Sequence, residues 1–216
     1  MADLAAIVPL PEAFVDTAFA SVAGETPLGR VARTMSGAAV VASAEPLVDR
    51  VRETLAAQGL SAFSVVAAES PGSRAQCLAA GLAEFSNQVR HVLIHDVRRP
   101  LAPVALRDRV IAALRAGSPV VMPTLAVTDS VKVVDARGAV TGTLDRSTLQ
   151  SVQYPRGFAV DDLAHLLAGR ATEDFDELDE SLRIGMPITF VDGDSDAFVV
   201  ELPRDTAYVE AVIAER

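Results

Sequence analysis

Short apolar runs alternate with longer segments of helical period along this chain. The runs of strand length are Ala5–Leu10, Ala38–Ala42, Phe63–Ala67, His91–His95, Pro119–Met122, Ile188–Val191 and Ala197–Glu201. Each is nearly continuous in Val, Ile, Leu and Ala, which predicts strands covered on both faces. Between them, Leu47–Leu60 sets Leu47, Val48, Val51, Leu55 and Leu60 at helical spacing, with Asp49, Arg50, Arg52 and Glu53 outside. Ser73–Phe85 and Ala105–Ala116 repeat that pattern. A last helix is expected to open at Pro203, a favoured first-turn residue, and to run toward Arg216. This alternation predicts an α/β fold: one doubly wound, mostly parallel sheet in a single domain over residues 1–216, with chemistry at the carboxyl ends of its strands.

One region breaks the alternation. Residues 124–143 hold two β-rich runs joined by a turn at Ala136–Gly138. A hairpin inserted in such a domain is expected to project as a β-arm. Its Val127, Val131, Val133, Val134 and Val140 then need cover, and a second subunit is the natural source of it.

Composition narrows the function. The formal charge of −10 repels phosphate backbones and argues against a nucleic-acid partner, but allows a small phosphorylated ligand in a local cationic pocket. Of 19 basic residues only Lys132 is a lysine. A lone Cys77 excludes an intrachain disulfide and a cysteine-based metal cluster. No apolar run is long enough to span a membrane, and MADLAAIVPL has no basic segment of the signal-peptide kind. These features predict a soluble cytoplasmic protein.

Candidate chemistry follows the predicted strands. In His95-Asp96-Val97-Arg98-Arg99-Pro100 an apolar strand ends in an acid and two arginines. Such an Asp is suited to Mg²⁺ and the arginines to phosphate, although a helix-capping Asp with solvated arginines gives the same pattern. On the arm, Thr128, Ser130 and Lys132 alternate on one strand face, suited to phosphate or to protecting an edge strand. Leu144-Asp145-Arg146, the run Gln150–Phe158 and the acidic stretch Asp174–Glu180 complete the set; the last also reads as acids at a helix N-terminus.

The order and spacing of these segments resemble the 2-C-methyl-D-erythritol 4-phosphate cytidylyltransferase family. HDVRRP at 95–100 is similar to that family's HDAARP, AVTDSVK at 126–132 to its PVxDTxK, and QSVQYPRGF at 150–158 to its QTPQxF. FDE at 175–177 is similar to TDE. Gly72-Ser73-Arg74 with Ala79-Ala80-Gly81-Leu82 resembles GxxRxxSVxxGL, with Cys77 in place of the serine. The resemblance implies a Rossmann-like nucleotidyltransferase fold and transfer of a cytidylyl group from CTP to 2-C-methyl-D-erythritol 4-phosphate with Mg²⁺. It also implies a homodimer joined by the β-arm. By position, Asp96 would hold Mg²⁺. Asp96, Arg99, Ser130, Cys77 and Arg74 would bind substrate, and Lys132 and Arg146 would be catalytic.

The departures lie at the nucleotide end. Where the family has a GxGxRxG…PK loop after the first strand, Pro9–Ala23 contains no glycine and no basic residue. Val199 stands where the family's second lysine belongs, and Tyr154 and Arg156 replace its Thr and Gln. Losing one preorganised donor typically costs roughly 10²–10³ in rate. Two readings are therefore open: a divergent nucleotidyltransferase, or a paralogue acting as a binding or regulatory protein.

Overall fold

The computed structural model describes residues 3–35, 38–85, 89–170 and 175–215. Its strands are β1 (Leu4–Leu10), β2 (Ala38–Ala44), β3 (Ser64–Ala68), β4 (His91–Ile94), β5 (Val120–Ala126), β6 (Lys132–Val134), β7 (Val140–Thr143), β8 (Gln150–Val152), β9 (Arg156–Ala159) and β10 (Ile188–Asp192). Its helices are α1 (Val15–Phe19), α2 (Pro27–Thr34), α3 (Val48–Ala57), α4 (Arg74–Ala83), α5 (Val104–Arg115), α6 (Val160–Ala168), α7 (Glu177–Arg183) and α8 (Thr206–Ala214).

The main sheet runs β10-β5-β9-β4-β1-β2-β3, with β8 also paired to β5. β1, β2, β3 and β4 are mutually parallel, as are β5 and β10. β9 is antiparallel to both β4 and β5 and joins the two parallel groups. β1 shows why the apolar runs are continuous. Leu4, Ala6, Val8 and Leu10 enter the core beneath α2, α3 and α5, while Ala5 and Ile7 enter the core beneath α4 and α6. Gly81 lets α4 lie this close, since a Cβ there would meet Ile7 Cγ2 at 2.7 Å.

β1 is flanked by β2 on one side and β4 on the other, so the chain reverses its winding direction between β1 and β4. In such sheets a crevice opens at the carboxyl ends of the two strands at that reversal.

Two expectations are corrected. Ala197–Glu201 is not a strand. Its backbone is taken by the turn after β4, where Val200 N donates to Arg98 O at 2.8 Å and Ala197 O accepts from Arg99. α8 opens at Thr206 and not at Pro203, because residues 202–205 form a turn whose Pro203 O accepts from Thr206 N and Oγ1. Cys77, expected at the substrate, faces the core between α4 and β1, fully buried, with Sγ 3.6 Å from Gly72 O. Arg216 and Asp174 lie outside the described residues.

The arm is a separate two-stranded sheet, β6 against β7. Its turn is closed by Asp135 Oδ1, which accepts from Arg137 N and Ala139 N at 2.9 Å each, with Gly138 at φ +80°.

Candidate active site

At the carboxyl end of β4, His95 and Asp96 are both almost fully buried. His95 Nδ1 accepts the Asp96 N–H at 2.8 Å, so its proton belongs on Nε2 when the ring is neutral. Burial pushes that imidazole down to about 4, so it is neutral near pH 7. The Asp96 carboxylate turns back on its own chain. Oδ1 accepts from Arg98 N at 2.9 Å and Arg98 Nε at 3.1 Å, and Oδ2 accepts from Arg98 Nη2 at 2.6 Å. Burial works against the charged carboxylate, but the hydrogen bonds and charge of Arg98 outweigh it and hold Asp96 below the usual range.

Arg98 is covered from outside by the segment that follows β1. After Pro11, residues Glu12–Phe14 form a 3-10 turn that runs into α1, and the Phe14 ring lies 4.2 Å from the Arg98 guanidinium carbon. The stretch that lacks the family's glycines therefore folds as short helix and caps the crevice with an aromatic ring. Concave surfaces of about 510 and 300 Å³ lie elsewhere, along the β3 edge against α4 and α3, and neither includes a residue of the turn after β4.

Arg99 is nine-tenths buried. It donates to Ala197 O through Nη1 and to Val152 O at 3.2 Å through Nη2, which ties β8 and the 197–201 segment to the turn. Its Nε is buried without a hydrogen-bond partner among the described residues.

Beside this turn lies a second cluster that pattern reading missed. A capping box, with Ser73 and Gln76 bonded reciprocally, starts α4 so that Arg74 is its first residue. Asp176 caps α7 by its side chain alone, Oδ1 accepting from Leu178 N and Asp179 N, and so makes Glu177 the first residue of that helix. The two caps set Arg74 against Glu177, with Nη2 to Oε1 at 2.6 Å. Glu177 Oε2 accepts from Arg156 Nη1 at 2.5 Å and from the Tyr154 hydroxyl at 3.0 Å. Arg156 also reaches Asp176 Oδ2 at 2.9 Å and stacks 4.2 Å over the Tyr154 ring. Tyr154 and Arg156, the two replacements in the Gln150–Phe158 segment, thus share Glu177 as a partner. That joint change is the one signal in the sequence that could have found the cluster.

Arg74 and Asp96 are brought close enough for their charges to act on each other. Ser130, Lys132 and Arg146 are not brought to them. All three are exposed on the arm or at its base, Lys132 Nζ donating to Thr143 Oγ1 at 2.9 Å and Arg146 to Thr128 O. Among the described residues no three His, Cys, Asp or Glu side chains converge as for a metal ion. With both oxygens of Asp96 held by Arg98, that carboxylate does not fit a resident metal as it stands.

A model of the 2-C-methyl-D-erythritol 4-phosphate cytidylyltransferase family matches residues 12–215. The chain is similar to an enzyme of that name from Rhodococcus jostii, 37% identical over 213 residues that cover 95% of this chain and 88% of that protein. A solved structure of the Thermus thermophilus enzyme of that name superposes with TM-score 0.79 at 25% identity, covering 99% of this chain and 100% of that one. A crystal structure of 4-diphosphocytidyl-2C-methyl-D-erythritol synthase superposes with TM-score 0.80 at 20% identity over 98% of each chain, a likeness of fold. Among the described residues no helix is long and apolar enough to cross a membrane.

Proposed function

The chain belongs to the 2-C-methyl-D-erythritol 4-phosphate cytidylyltransferase family, and from that premise we propose that it carries out the family's reaction in the cytoplasm. A phosphate oxygen of 2-C-methyl-D-erythritol 4-phosphate attacks the α-phosphorus of CTP, the bond to the β-phosphate oxygen breaks, and pyrophosphate leaves. The observation that carries the reading is similarity along nearly the whole chain to enzymes of this name, together with an acid and two arginines at the reversal of a doubly wound sheet.

The nucleotide end of the site is the crevice at β1 and β4, where Arg98 and Arg99 are the cations nearest Asp96 in the chain. The acceptor end is the arm, where Ser130, Lys132 and Arg146 offer a hydroxyl and two cations to a phosphomonoester. Lys132 and Arg146 are the catalytic candidates, neutralising charge that grows on the attacking phosphate. Arg74 is a positioning residue, holding α4 against α7 through Glu177. The family reaction typically takes a divalent metal, and Mg²⁺ is the ion proposed, supplying charge neutralisation for the departing pyrophosphate rather than holding the nucleotide. Val133, Val134 and Val140 of the arm are exposed in one chain. A second copy of this chain is the proposed cover, and the homodimer brings each arm to its neighbour's crevice.

Incubation with CTP, Mg²⁺ and 2-C-methyl-D-erythritol 4-phosphate tests the reading. Pyrophosphate release is expected. No release above blank, with a Rhodococcus relative active in the same assay, overturns it and leaves a binding or regulatory role.

A further inference from the structure

The Arg98 guanidinium stands where the resemblance would put a divalent cation. Asp96 is 1% exposed, and Arg98 approaches both of its oxygens, with Nη2 at 2.6 Å from Oδ2 and Nε at 3.1 Å from each. The pair is local. The backbone N–H of Arg98 already bonds Oδ1 at 2.9 Å, so the side chain folds back on the turn that its own main chain makes. A metal at Asp96 would first have to break a forked, charge-assisted pair on a buried carboxylate, and such pairs are costly to separate.

The surroundings favour an anion. Arg99, next in the chain, donates to the carbonyls of Ala197 and Val152, and its buried Nε has no hydrogen-bond partner among the described residues. Asp96 is bonded to Arg98, so the second guanidinium leaves a positive excess at this turn in a protein whose net charge is −10. Phe14 stacks on Arg98 and fixes it at the mouth of the crevice, and its side chain is only partly buried. No basic residue precedes Arg30, and the similar family motif has an alanine at the position of Arg98.

We propose that Arg98 is a built-in cation: it takes the metal's place at Asp96 and binds the phosphates of the incoming nucleotide, so that nucleotide binding does not depend on a metal held by Asp96. The inference rests on the reading of this crevice as the CTP site. Phosphate engages the outer edge of the guanidinium while Asp96 orients it from within, the arrangement that suits a planar fork better than an ammonium.

Calorimetric titration of CTP into wild type and Arg98→Ala, each in Mg²⁺ and in EDTA, tests this. Wild type is expected to lose less than threefold in affinity on going from Mg²⁺ to EDTA. Arg98→Ala is expected to bind at least tenfold more weakly than wild type in EDTA, and to recover in Mg²⁺ because Asp96 is then open to the ion. A threefold or greater loss for wild type in EDTA overturns the proposal, and so does Arg98→Ala binding within tenfold of wild type there. If Arg98→Ala does not fold, Arg98→Gln, which keeps a hydrogen bond to Asp96 without the charge, is read by the same thresholds. A wild type that binds CTP but releases no pyrophosphate overturns the catalytic reading while leaving these thresholds to judge Arg98. A wild type that binds no CTP in either buffer overturns both.

Discussion

Two buried side chains in the site carry much of its stability. Glu177 has no exposed surface and is shared by Arg74 and Arg156. Removing it leaves the buried Arg74 guanidinium without a carboxylate and Arg156 with Asp176 alone, which typically costs about 3–5 kcal/mol. For Glu177→Ala we expect a thermal midpoint lower by roughly 6–20 °C, taking about 2–4 °C per kcal/mol for a chain of this size. A midpoint within 2 °C of wild type, by circular dichroism, would remove Glu177 from this role. His95 gives a pH signature. Its folded pKa is pushed down from 6.5 to about 4 by burial, so between those values the unfolded chain binds a proton that the native state does not. Stability from this group is therefore full above pH 6.5 and is lost as pH falls toward 4, by about 3 kcal/mol in all. Urea unfolding from pH 7 to pH 4 is expected to show this slope, and His95→Asn, whose side-chain oxygen still accepts from Asp96 N, to flatten it. Equal slopes in the two proteins rule the assignment out. At this scale the sequence shows Asp96 and the arginines but not their partners. Arg74 and Glu177 are 103 residues apart, and nothing local marks their meeting.

Elements were legible where both faces are buried. β1, β2, β4 and β5 announce themselves as continuous apolar runs because a parallel sheet covered by helices needs nothing else. β8 and β9 do not. β9 reads Arg-Gly-Phe-Ala, its arginine turned to the buried cluster and its glycine kept small, since a Cβ there would meet Leu114 and Val110 at 2.7 Å. Ala197–Glu201 fails the other way: it has the composition of a strand, and Ala197 and Val200 are buried, but its backbone is bonded to the turn after β4. The β6–β7 hairpin rests on local turn chemistry, an Asp accepting two backbone N–H groups with a glycine at positive φ. Its exposed valines give a test at this scale. Val140 is 65% exposed on β7, so Val140→Asp should change the stability of a lone chain by no more than about 0.5 kcal/mol. In a dimer joined by the arm it buries an unpaired charge. Sedimentation velocity is expected to show dimer for wild type and monomer for the variant at equal concentration. A variant that stays dimeric places the interface elsewhere.

At the scale of the whole molecule, the residues that resemble one site lie in two places. Asp96, Arg98 and Arg99 are set in the core at the reversal of the sheet, while Lys132 lies on the separate β6–β7 sheet and Ser130 and Arg146 on the segments that flank it. Among the described residues no hydrogen bond or ion pair joins the two groups within a chain. A two-fold dimer reconciles them if each arm serves its partner's crevice. The consequence is quantitative. Asp96→Asn disables the core half of a site and Lys132→Ala the arm half, so each homodimer should be inactive. In a mixed dimer one site inherits both defects. The other pairs the intact core of the Lys132→Ala chain with the intact arm of the Asp96→Asn chain. Equal co-expression makes about half of the dimers mixed, each with one working site of two, so the mixture should regain about a quarter of wild-type specific activity. If each chain instead builds its own site, every chain in the mixture carries a defect, and pyrophosphate release stays at the level of the parent variants.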